Sequence, residues 1–372
     1  MKKVLLVTIQ NNLNFGNRLQ NYALQTVLEK MGCSVVNLSL KDIPLAALSI
    51  SQYQKVKLAV KKIAIHLGIK SLKPSVSMWT RKEKCISFSH KYIHNYMILT
   101  REQIEKEDFR TFDLAVTGSD QVWHNWKRIK DELLFYYLDF IDKNKRIAYA
   151  PSFGFKEFPS EDLETHKNKI MEMEALSCRE KEGCELIYKL TGRKAQKVLD
   201  PTLLLSREEW EKIEEKPNFE LPERFLIQFM LGKVSTEYKE EIGRIAEKRD
   251  EIIIDINDKN NLALYGISPN NFIWLIHHAE TICTDSFHAA VFSILFKKNL
   301  RVFERVSPEF GDMFGRLFDL LESLGLERII YSSREETDLK TILDEKGMQN
   351  LNDQIKRSVL YLKENLGCSI IE

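Results

Sequence analysis

The stretch TICTDSFHAAVFS, residues 281–293, constrains the fold more than any other part of the sequence. Its first three residues predict the end of a short buried strand, and a helix is predicted over residues 289–297. Between them, Thr284, Asp285 and Ser286 are all favoured helix N-caps. A strand that leads directly into a capped helix is typical of α/β domains, so this stretch predicts an α/β fold.

The same stretch is a candidate anion site. The N-terminus of a helix presents N–H groups without helical partners and the positive end of the helix dipole, and both favour phosphate or carboxylate. His288 in the first turn would lie beside such an anion and could carry a proton to or from it. Two interpretations stay open: a ligand site, or a structural cap with His288 packed against a neighbour.

The start of the chain predicts a βαβ unit. Residues 4–9 are a continuous apolar run, typical of a parallel strand covered on both faces, and residues 34–38 predict the second strand. The helix between them is predicted to begin at Asn17. The unit contains no GxGxxG, so the fingerprint of a dinucleotide site is absent.

The loop between the first strand and this helix is rich in asparagine. It follows the carboxyl end of a strand, which is where open α/β sheets bind ligands. Asn14, Gly16 and Asn17 are therefore candidate ligand contacts, although turn chemistry alone would also select these residue types.

Polar residues also follow later predicted strands. Strands are predicted over residues 112–117, from residue 146, over 175–180 and over 198–205. Polar side chains gathered at several successive strand ends predict the floor of a site. The candidates at these ends are Gly118, Ser119, Asp120, Gln121, Ser152 and Arg179.

Composition and charge exclude several classes of protein. The chain has 372 residues, 44% of them hydrophobic and 29% charged, as expected of a globular protein of about two domains. The net charge is +1, so no overall field attracts nucleic acid. The six cysteines form no CxxC pair, which favours buried thiols in a reducing compartment. No apolar run is long enough for a signal peptide or a membrane span, so we expect a cytoplasmic protein.

Two lysine-rich helices are predicted early in the chain, over residues 56–67 and 81–96. Clustered lysines suit peripheral contact with an anionic membrane surface, or they form only a solvated helix face. His90 and His94 have a spacing that can bind metal, but no third ligand accompanies them, so no metal site is predicted.

The prolines of residues 214–222 predict a linker, and a second α/β series follows it. Helices are predicted over 312–324, 338–345 and 349–366. The predicted domains are an N-terminal Rossmann-like domain with Arg179 (1–215), a C-terminal Rossmann-like domain with His288 (216–345) and a C-terminal helix that packs back on the first domain (346–372).

Six motifs occur in order along the chain. They are NxGNxxQxYAL (14–24), GSDQVW (118–123), AYAxSFG (148–154), SCRE (177–180), LDPTL (199–203) and TDSFH (284–288). Arg316 and the motif LGLER (324–328) continue the order. Together they resemble the polysaccharide pyruvyl transferase family, over roughly residues 4–328.

The resemblance implies a GT-B-like fold, with two Rossmann-like domains facing a central cleft. It also implies transfer of the pyruvyl group of phosphoenolpyruvate onto sugar hydroxyls of a polysaccharide precursor, which forms a ketal and releases phosphate, without a further cofactor. His288 matches the family's essential histidine, and Arg179 matches an arginine that holds the phosphoenolpyruvate anion. Some members have arginine where this chain has Ser286, and Lys298 or Arg305 could take its place.

The residues suit this chemistry. Ketal formation needs a proton on C3 of the enol, after which a hydroxyl attacks the oxocarbenium-like C2. His288 can serve both proton movements, and Arg179 and the helix N-terminus can stabilise the departing phosphate. We expect the Asn14 loop, with Asp120 and Gln121, to hold a lipid-linked or nucleotide-linked saccharide acceptor.

Two other functions stay open. A GT-B-like glycosyltransferase that uses a nucleotide sugar would share the fold. A non-catalytic sugar-binding or scaffold homologue would tolerate the departures from the family pattern at Ser286 and Ala289. The presence of both His288 and Arg179 favours an enzyme.

Overall fold

The computed structural model describes residues 1–43, 46–305, 314–332 and 339–367. The strands are β1 (Lys2–Val7), β2 (Cys33–Leu40), β3 (Tyr96–Leu99), β4 (Leu114–Thr117), β5 (Arg146–Ala148), β6 (Ser177–Cys178), β7 (Gln196–Lys197), β8 (Phe225–Phe229), β9 (Ile252–Asp255), β10 (Thr281–Thr284) and β11 (Asn299–Val302). The helices are α1 (Phe15–Lys30), α2 (Gln52–His66), α3 (Lys73–Tyr92), α4 (Arg101–Lys106), α5 (Glu132–Tyr136), α6 (Leu163–Met171), α7 (Lys181–Thr191), α8 (Arg207–Glu211), α9 (Thr236–Arg249), α10 (Leu262–Tyr265), α11 (Pro269–His278), α12 (Phe287–Leu295), α13 (Gly315–Ser323) and α14 (Glu345–Leu366).

The first half of the chain forms a five-stranded parallel sheet in the order β3-β2-β1-β4-β5. The position of the central strand β1 explains why its sequence is continuously apolar. Val4 and Leu6 belong to one apolar core, and Leu5 and Val7 belong to the core on the other face. A strand buried on both faces has no polar alternation, which is why this run is continuously apolar.

The second half forms a four-stranded parallel sheet in the order β11-β10-β8-β9. Its central strand β10 is also buried on both faces, since Ile282 and Cys283 belong to different cores. The predicted α/β class with two Rossmann-like halves is confirmed by these two parallel sheets.

The strand orders determine where a site can form. In each sheet the chain moves first to one side of the first strand and then to the other, so the order reverses between β1 and β4 and between β8 and β10. Ligands of open α/β sheets bind in the crevice at such switch points, beyond the carboxyl ends of the strands. The loops that leave β1, β4, β8 and β10 are therefore the expected site.

The two halves share apolar core. The ring of Phe15, at the start of α1, stacks on Phe272 of α11 with centroids 4.9 Å apart. Trp210 packs edge-on against Phe292 of α12 at 4.8 Å. Aromatic contacts of this kind hold the halves together beyond the contribution of area alone.

Arg81 of α3 fastens the first half to the second. Its guanidinium donates to the carbonyl oxygens of Tyr265 (2.7 Å) and Ile256 (2.8 Å) and to Oδ1 of Asn257 (3.0 Å). It also lies over the rings of Phe15 and Tyr265. Burial lowers the pKa of Arg81 to about 10, so the group stays charged at neutral pH.

Helix α14 contacts both halves. The Tyr361 hydroxyl donates to the carbonyl of Ala148 at 2.8 Å, and Ser358 Oγ accepts from the Leu199 N–H at 2.9 Å. Near its start, Asn350 donates to the carbonyl of Ser323. The predicted domain boundaries stay predictions.

Some predicted elements are wrong. Residues 198–205 are not a strand: Pro201 has no N–H to donate to a sheet, and a 3₁₀ turn, Pro201–Leu204, forms instead under the Asp200 cap. Residues 339–344 are not helical, and Asp344 caps α14. Residues 312, 313 and 338 of the predicted tail helices lie outside the described residues. Within the described ranges, no helix is long and apolar enough to cross a bilayer.

Candidate active site

Two helix N-termini meet at the switch points of the two sheets. Asn14 caps α1, where its side chain accepts from the Asn17 N–H, and Ser286 caps α12. Gly16, in the first turn of α1, lies against the imidazole of His288 in the first turn of α12. A Cβ added to Gly16 would be only 2.1 Å from His288 Nδ1. The absence of a side chain at residue 16 is thus what allows the two helices to approach.

His288 faces a carboxylate from the other half. Its Nε2 lies 3.6 Å from Oδ2 of Asp200, close enough for an ion pair but too long for a hydrogen bond. His288 is 7% exposed, and its Nε2 has no hydrogen-bond partner among the described residues. A buried polar atom without a partner costs free energy, so this nitrogen is positioned for a ligand.

Asp200 joins His288 to Arg179. Its Oδ2 accepts from Arg179 Nη1 at 2.8 Å and from Ser119 Oγ at 3.1 Å, while its Oδ1 accepts from Thr202. Burial raises the pKa of Asp200, but the charges of His288 and Arg179 outweigh it and hold the pKa well below its usual range. The carboxyl is therefore ionised at neutral pH.

Asp120 is the second carboxylate in contact with Arg179. It accepts from Arg179 Nη2 at 3.1 Å and from the side-chain amide of Asn17, and its Oδ1 lies 3.5 Å from Arg316 Nη1. Burial raises the pKa of Asp120, but the charges of Arg179, His288 and Arg316 lower it overall. Asp120 therefore links the first turn of α1 to two guanidinium groups.

The Arg179 guanidinium is buried between these acids. Burial would lower its pKa, but the carboxylates of Asp120 and Asp200 outweigh this effect and raise it. The group also lies 4.6 Å from the ring centroid of Phe287, at the start of α12. Arg179 therefore stays charged and points at the N-terminus of the opposing helix.

His288, Asp200, Asp120 and Arg179 form a charged cluster. Two further arginines, Arg316 and Arg305, adjoin it. Burial, with the nearby charge of Arg179, lowers the pKa of Arg316 to about 10. Arg305 donates from Nη2 to the carbonyl of Asp285 at 3.0 Å and from Nε to its Oδ2 at 3.2 Å. Arg305 also lowers the pKa of Arg316, so the two positive charges are near each other. Three guanidinium groups and a helix N-terminus suit a ligand with two or more negative charges.

A pocket of about 400 Å³ lies between the halves and adjoins this cluster. Asn11, Asn14 and Phe15 line it from the first half, and Leu231, Asn257 and Tyr265 line it from the second. Its connection to the cluster is direct, since the Leu231 N–H donates to Asp285 Oδ1. The volume lies within the range of pockets that bind small molecules.

The cluster contains most of the predicted site residues. Gly16, Asn17, Ser119, Asp120, Arg179, Asp285, Ser286, His288 and Arg305 all contribute to it. The remaining predicted residues adjoin it: Asn14 caps α1, Gly118 approaches Tyr149, Gln121 covers Gly154, Ser152 donates its N–H to Asp120, and Thr284 donates to the carbonyl of Phe229.

Lys298 is not brought to the cluster. It precedes Asn299, whose partner is Thr281 at the far end of β10 from Thr284. Burial lowers its pKa, and the carboxylates of Glu280 and Glu214 oppose that change. It therefore contacts a different group of charges.

Three residues of the cluster were not predicted to be in the site, namely Asp200, Arg316 and Glu180. Asp200 was hidden by the wrong strand prediction over 198–205. Burial raises the pKa of Glu180, against the charges of Arg179 and Arg316. Glu180 and Asp200 lie in the motifs SCRE and LDPTL, and Arg316 follows these motifs in the family's order. The resemblance to the family was therefore the signal that could have identified all three.

One group of side chains has the spacing of a metal site. Among the described residues, Glu214, His277 and His278 offer ligand atoms within 4.8 Å of one another, at the linker and not at the cluster. His277 donates from Nδ1 to Glu214 at 2.8 Å, and its Nε2 accepts from Arg207 Nη2 at 2.9 Å. These contacts account for the arrangement without a metal.

Comparison with known proteins gives a family. Among solved structures, the chain is similar to Methanocaldococcus jannaschii UDP-GlcNAc 2-epimerase (12% identity, 96% of this chain and 100% of that one, TM-score 0.42). It is also similar to E. coli ADP-heptose LPS heptosyltransferase II (10%, 97% and 99%, 0.39) and to Acinetobacter baumannii MurG (10%, 98% and 100%, 0.40). None of the curated proteins compared with the chain matches it. The model of one family, described as polysaccharide pyruvyl transferase, matches residues 14–306. The chain therefore belongs to the polysaccharide pyruvyl transferase family.

Proposed function

We propose that this protein transfers the pyruvyl group of phosphoenolpyruvate to two hydroxyls of a saccharide, forming a ketal and releasing inorganic phosphate. The observation that carries the proposal is the ion-pair chain His288–Asp200–Arg179, which joins the N-terminus of α12 to the opposing half. It combines a group that transfers protons with a group that binds anions.

Phosphoenolpyruvate carries a phosphate and a carboxylate, and the cluster offers cations for both. Arg179, Arg305 and Arg316 together with the positive end of α12 would hold the two anionic groups. Because the arginines already contact acids, the incoming anion would share them with Asp120, Asp200 and Asp285. This sharing supports release of phosphate after the reaction as well as binding before it.

His288 is the proposed proton carrier. A proton is delivered to C3 of the enol, which becomes the methyl group, and the first hydroxyl oxygen bonds to C2 and loses its proton. The C2–O bond to phosphate then breaks with its electron pair on the phosphate oxygen, and the second hydroxyl bonds to C2. Of the two protons released by the hydroxyls, one replaces the proton used at C3 and the other goes to phosphate. Asp200, 3.6 Å away, balances the charge of His288 in its protonated form.

The acceptor would occupy the pocket of about 400 Å³ beside the cluster. Asn11 and Asn14 offer amide groups to hydroxyls, and Phe15 offers an apolar ring face to a sugar. The pocket is lined by Asn14 and Phe15 at the start of α1, and Leu231 on its other side donates to Asp285, which precedes the cap of α12.

The test is phosphate release from phosphoenolpyruvate in the presence of a panel of nucleotide-linked and lipid-linked saccharides. The expected result is phosphate release that needs an acceptor, with a carboxyethylidene group found on the product by mass spectrometry. His288→Asn should reduce the rate by about 10²–10⁴-fold, the usual contribution of general acid–base catalysis. The matched control is His278→Asn, since His278 is exposed and remote from the cluster.

Each other outcome has a defined meaning. Consumption of a nucleotide sugar, with no reaction of phosphoenolpyruvate, would replace the proposal with glycosyl transfer. Tight saccharide binding with no turnover of either donor would indicate a binding protein. An unchanged rate of pyruvyl transfer in His288→Asn would remove His288 from the mechanism.

A further inference from the structure

Helix α2 carries an apolar stripe that faces outward. Tyr53, Val56, Val60, Ile63 and Leu67 recur at intervals of three and four residues, so they lie on one face of the helix and its end. All five are exposed, from 59% for Val60 to 79% for Leu67. The structure describes the whole of α2, and within it Leu58 is the one buried residue.

This arrangement is the reverse of that in the other long helices. In α14, for example, Leu351, Leu362 and Leu366 are buried. A contiguous exposed apolar patch on a globular protein marks a surface that meets something else. We therefore expect the apolar stripe on α2 to contact an apolar partner.

The charge around the stripe indicates which partner. The sequence contains no Asp or Glu from residue 43 to residue 82, although the whole chain has 54 of them. Residues 51–72 contain five lysines, and Lys55, Lys57 and Lys62 are exposed on α2 itself. An apolar stripe between lysines is the pattern of a helix that lies in the interface of an anionic bilayer.

A second copy of the chain fits less well. A symmetric dimer through α2 would bring two identical lysine-rich surfaces together with no acidic residue of this segment to balance them. At 15 residues, α2 is about 22 Å long and carries four lysines, so it suits the plane of the interface and not a span across it. We propose that α2 docks the protein on the surface of a bilayer that contains anionic lipids.

Helix α3 connects α2 to the cleft. Lys61 of α2 donates to Ser75 Oγ at 2.8 Å, and two residues further along α3 Ser77 donates to the carbonyl of Lys259 at 2.9 Å. Lys259 and Arg81 both line the pocket between the halves. A docked α2 would bring this pocket within one helix of the lipid surface. From this position we infer that the saccharide acceptor is lipid-linked. This inference about the acceptor is the only part that rests on the proposed function.

The experiment is co-sedimentation of the full chain with vesicles of phosphatidylcholine alone and of phosphatidylcholine mixed with phosphatidylglycerol. Binding to the mixed vesicles that weakens as salt is raised is expected. The variant Val60→Ser/Ile63→Ser should weaken binding by about a hundredfold, because each of the two buried aliphatic side chains is worth about a factor of ten. The matched control is Ile342→Ser, since Ile342 and Ile63 are both 61% exposed.

The lysines are tested separately. Lys57→Gln/Lys62→Gln should weaken binding to anionic vesicles by about fivefold for each lysine removed. The control variant, Lys167→Gln/Lys239→Gln, removes two exposed lysines elsewhere and should leave binding unchanged. All substitutions are at exposed positions, and thermal unfolding checks that each variant folds.

Two results would overturn the proposal. One is failure of the intact chain to bind the mixed vesicles at low salt. The other is self-association, seen by light scattering, that Val60→Ser/Ile63→Ser abolishes while vesicle binding is absent or unchanged. Neither measurement uses phosphoenolpyruvate or turnover, so this inference and the proposed enzyme activity can fail independently.

Discussion

Gly16→Ala tests whether contact between the two helix N-termini positions His288. The new Cβ would lie 2.1 Å from Nδ1, 2.5 Å from Cγ and 2.8 Å from Cε1 of the imidazole. An ordinary contact is 3.4 Å or more, so the ring must move by about 3.4 − 2.1 = 1.3 Å. A displacement of about 1 Å at a reacting group costs about 10²-fold in rate, and overpacking costs about 1–3 kcal/mol of stability.

The assay compares initial rates of phosphate release with the midpoints of thermal unfolding. Gly243→Ala is the matched control, because Gly243 lies in helix α9 and its added Cβ would meet nothing within 4 Å. That variant should keep full activity and gain about 0.5–1 kcal/mol of stability. For Gly16→Ala we expect a rate loss of about 10²-fold in a protein that still folds. The imidazole NMR signals of His288, assigned through their loss in His288→Asn, should shift.

Full activity in Gly16→Ala, with unshifted His288 signals, would refute the reasoning. It would mean that α1 and α12 separate at little cost and that residue 16 does not position the ring. If Gly16→Ala loses activity and also unfolds, the NMR spectrum of its folded fraction at low temperature shows whether the ring of His288 has moved.

Three further predictions concern other buried groups. Asp200→Asn removes the acid between His288 and Arg179, and we expect a loss of activity of at least about tenfold with the fold retained, measured by phosphate release and circular dichroism. Burial lowers the pKa of His166 to about 3, so the unfolded chain binds a proton below pH 6.5 that the folded chain does not. Stability should fall by up to about 1.4 kcal/mol per pH unit as pH drops from 6.5 toward 3, and denaturant unfolding of His166→Gln should lack this slope. Tyr361→Phe removes one of two donors to the carbonyl of Ala148, since Ser177 Oγ also donates to it, and should cost about 0.5–1.5 kcal/mol in thermal unfolding, with activity unchanged.

The sequence predicts the central strands well because a strand that is buried on both faces consists almost entirely of apolar residues. The runs around β1 and β10 are apolar on both faces, and both are observed within two residues of their predicted bounds. Each is followed by a polar loop, and the structure brings residues that follow both loops together, with Gly16 against His288. These signals are local, so periodicity and capping are enough to read them.

The pairing of the two halves could not be predicted in this way. No local pattern says that the backbone of Gly16 meets the ring of His288 or that Asp200 lies between His288 and Arg179. Asp200 was also assigned to a strand, although the proline after it favours a turn. The outward direction of α2 was equally hidden, since periodicity gives an apolar face but not what covers that face.

The Arg81 contact described above has a consequence for how the cleft can move. Separating the halves along α3 would break three hydrogen bonds at once and leave the carbonyl oxygens of Tyr265 and Ile256 without these donors. A guanidinium stripped of all three acceptors would be costly in the same step. Opening the cleft elsewhere would keep these three bonds and cost less, so we expect any relative motion of the halves to use Arg81 as a hinge.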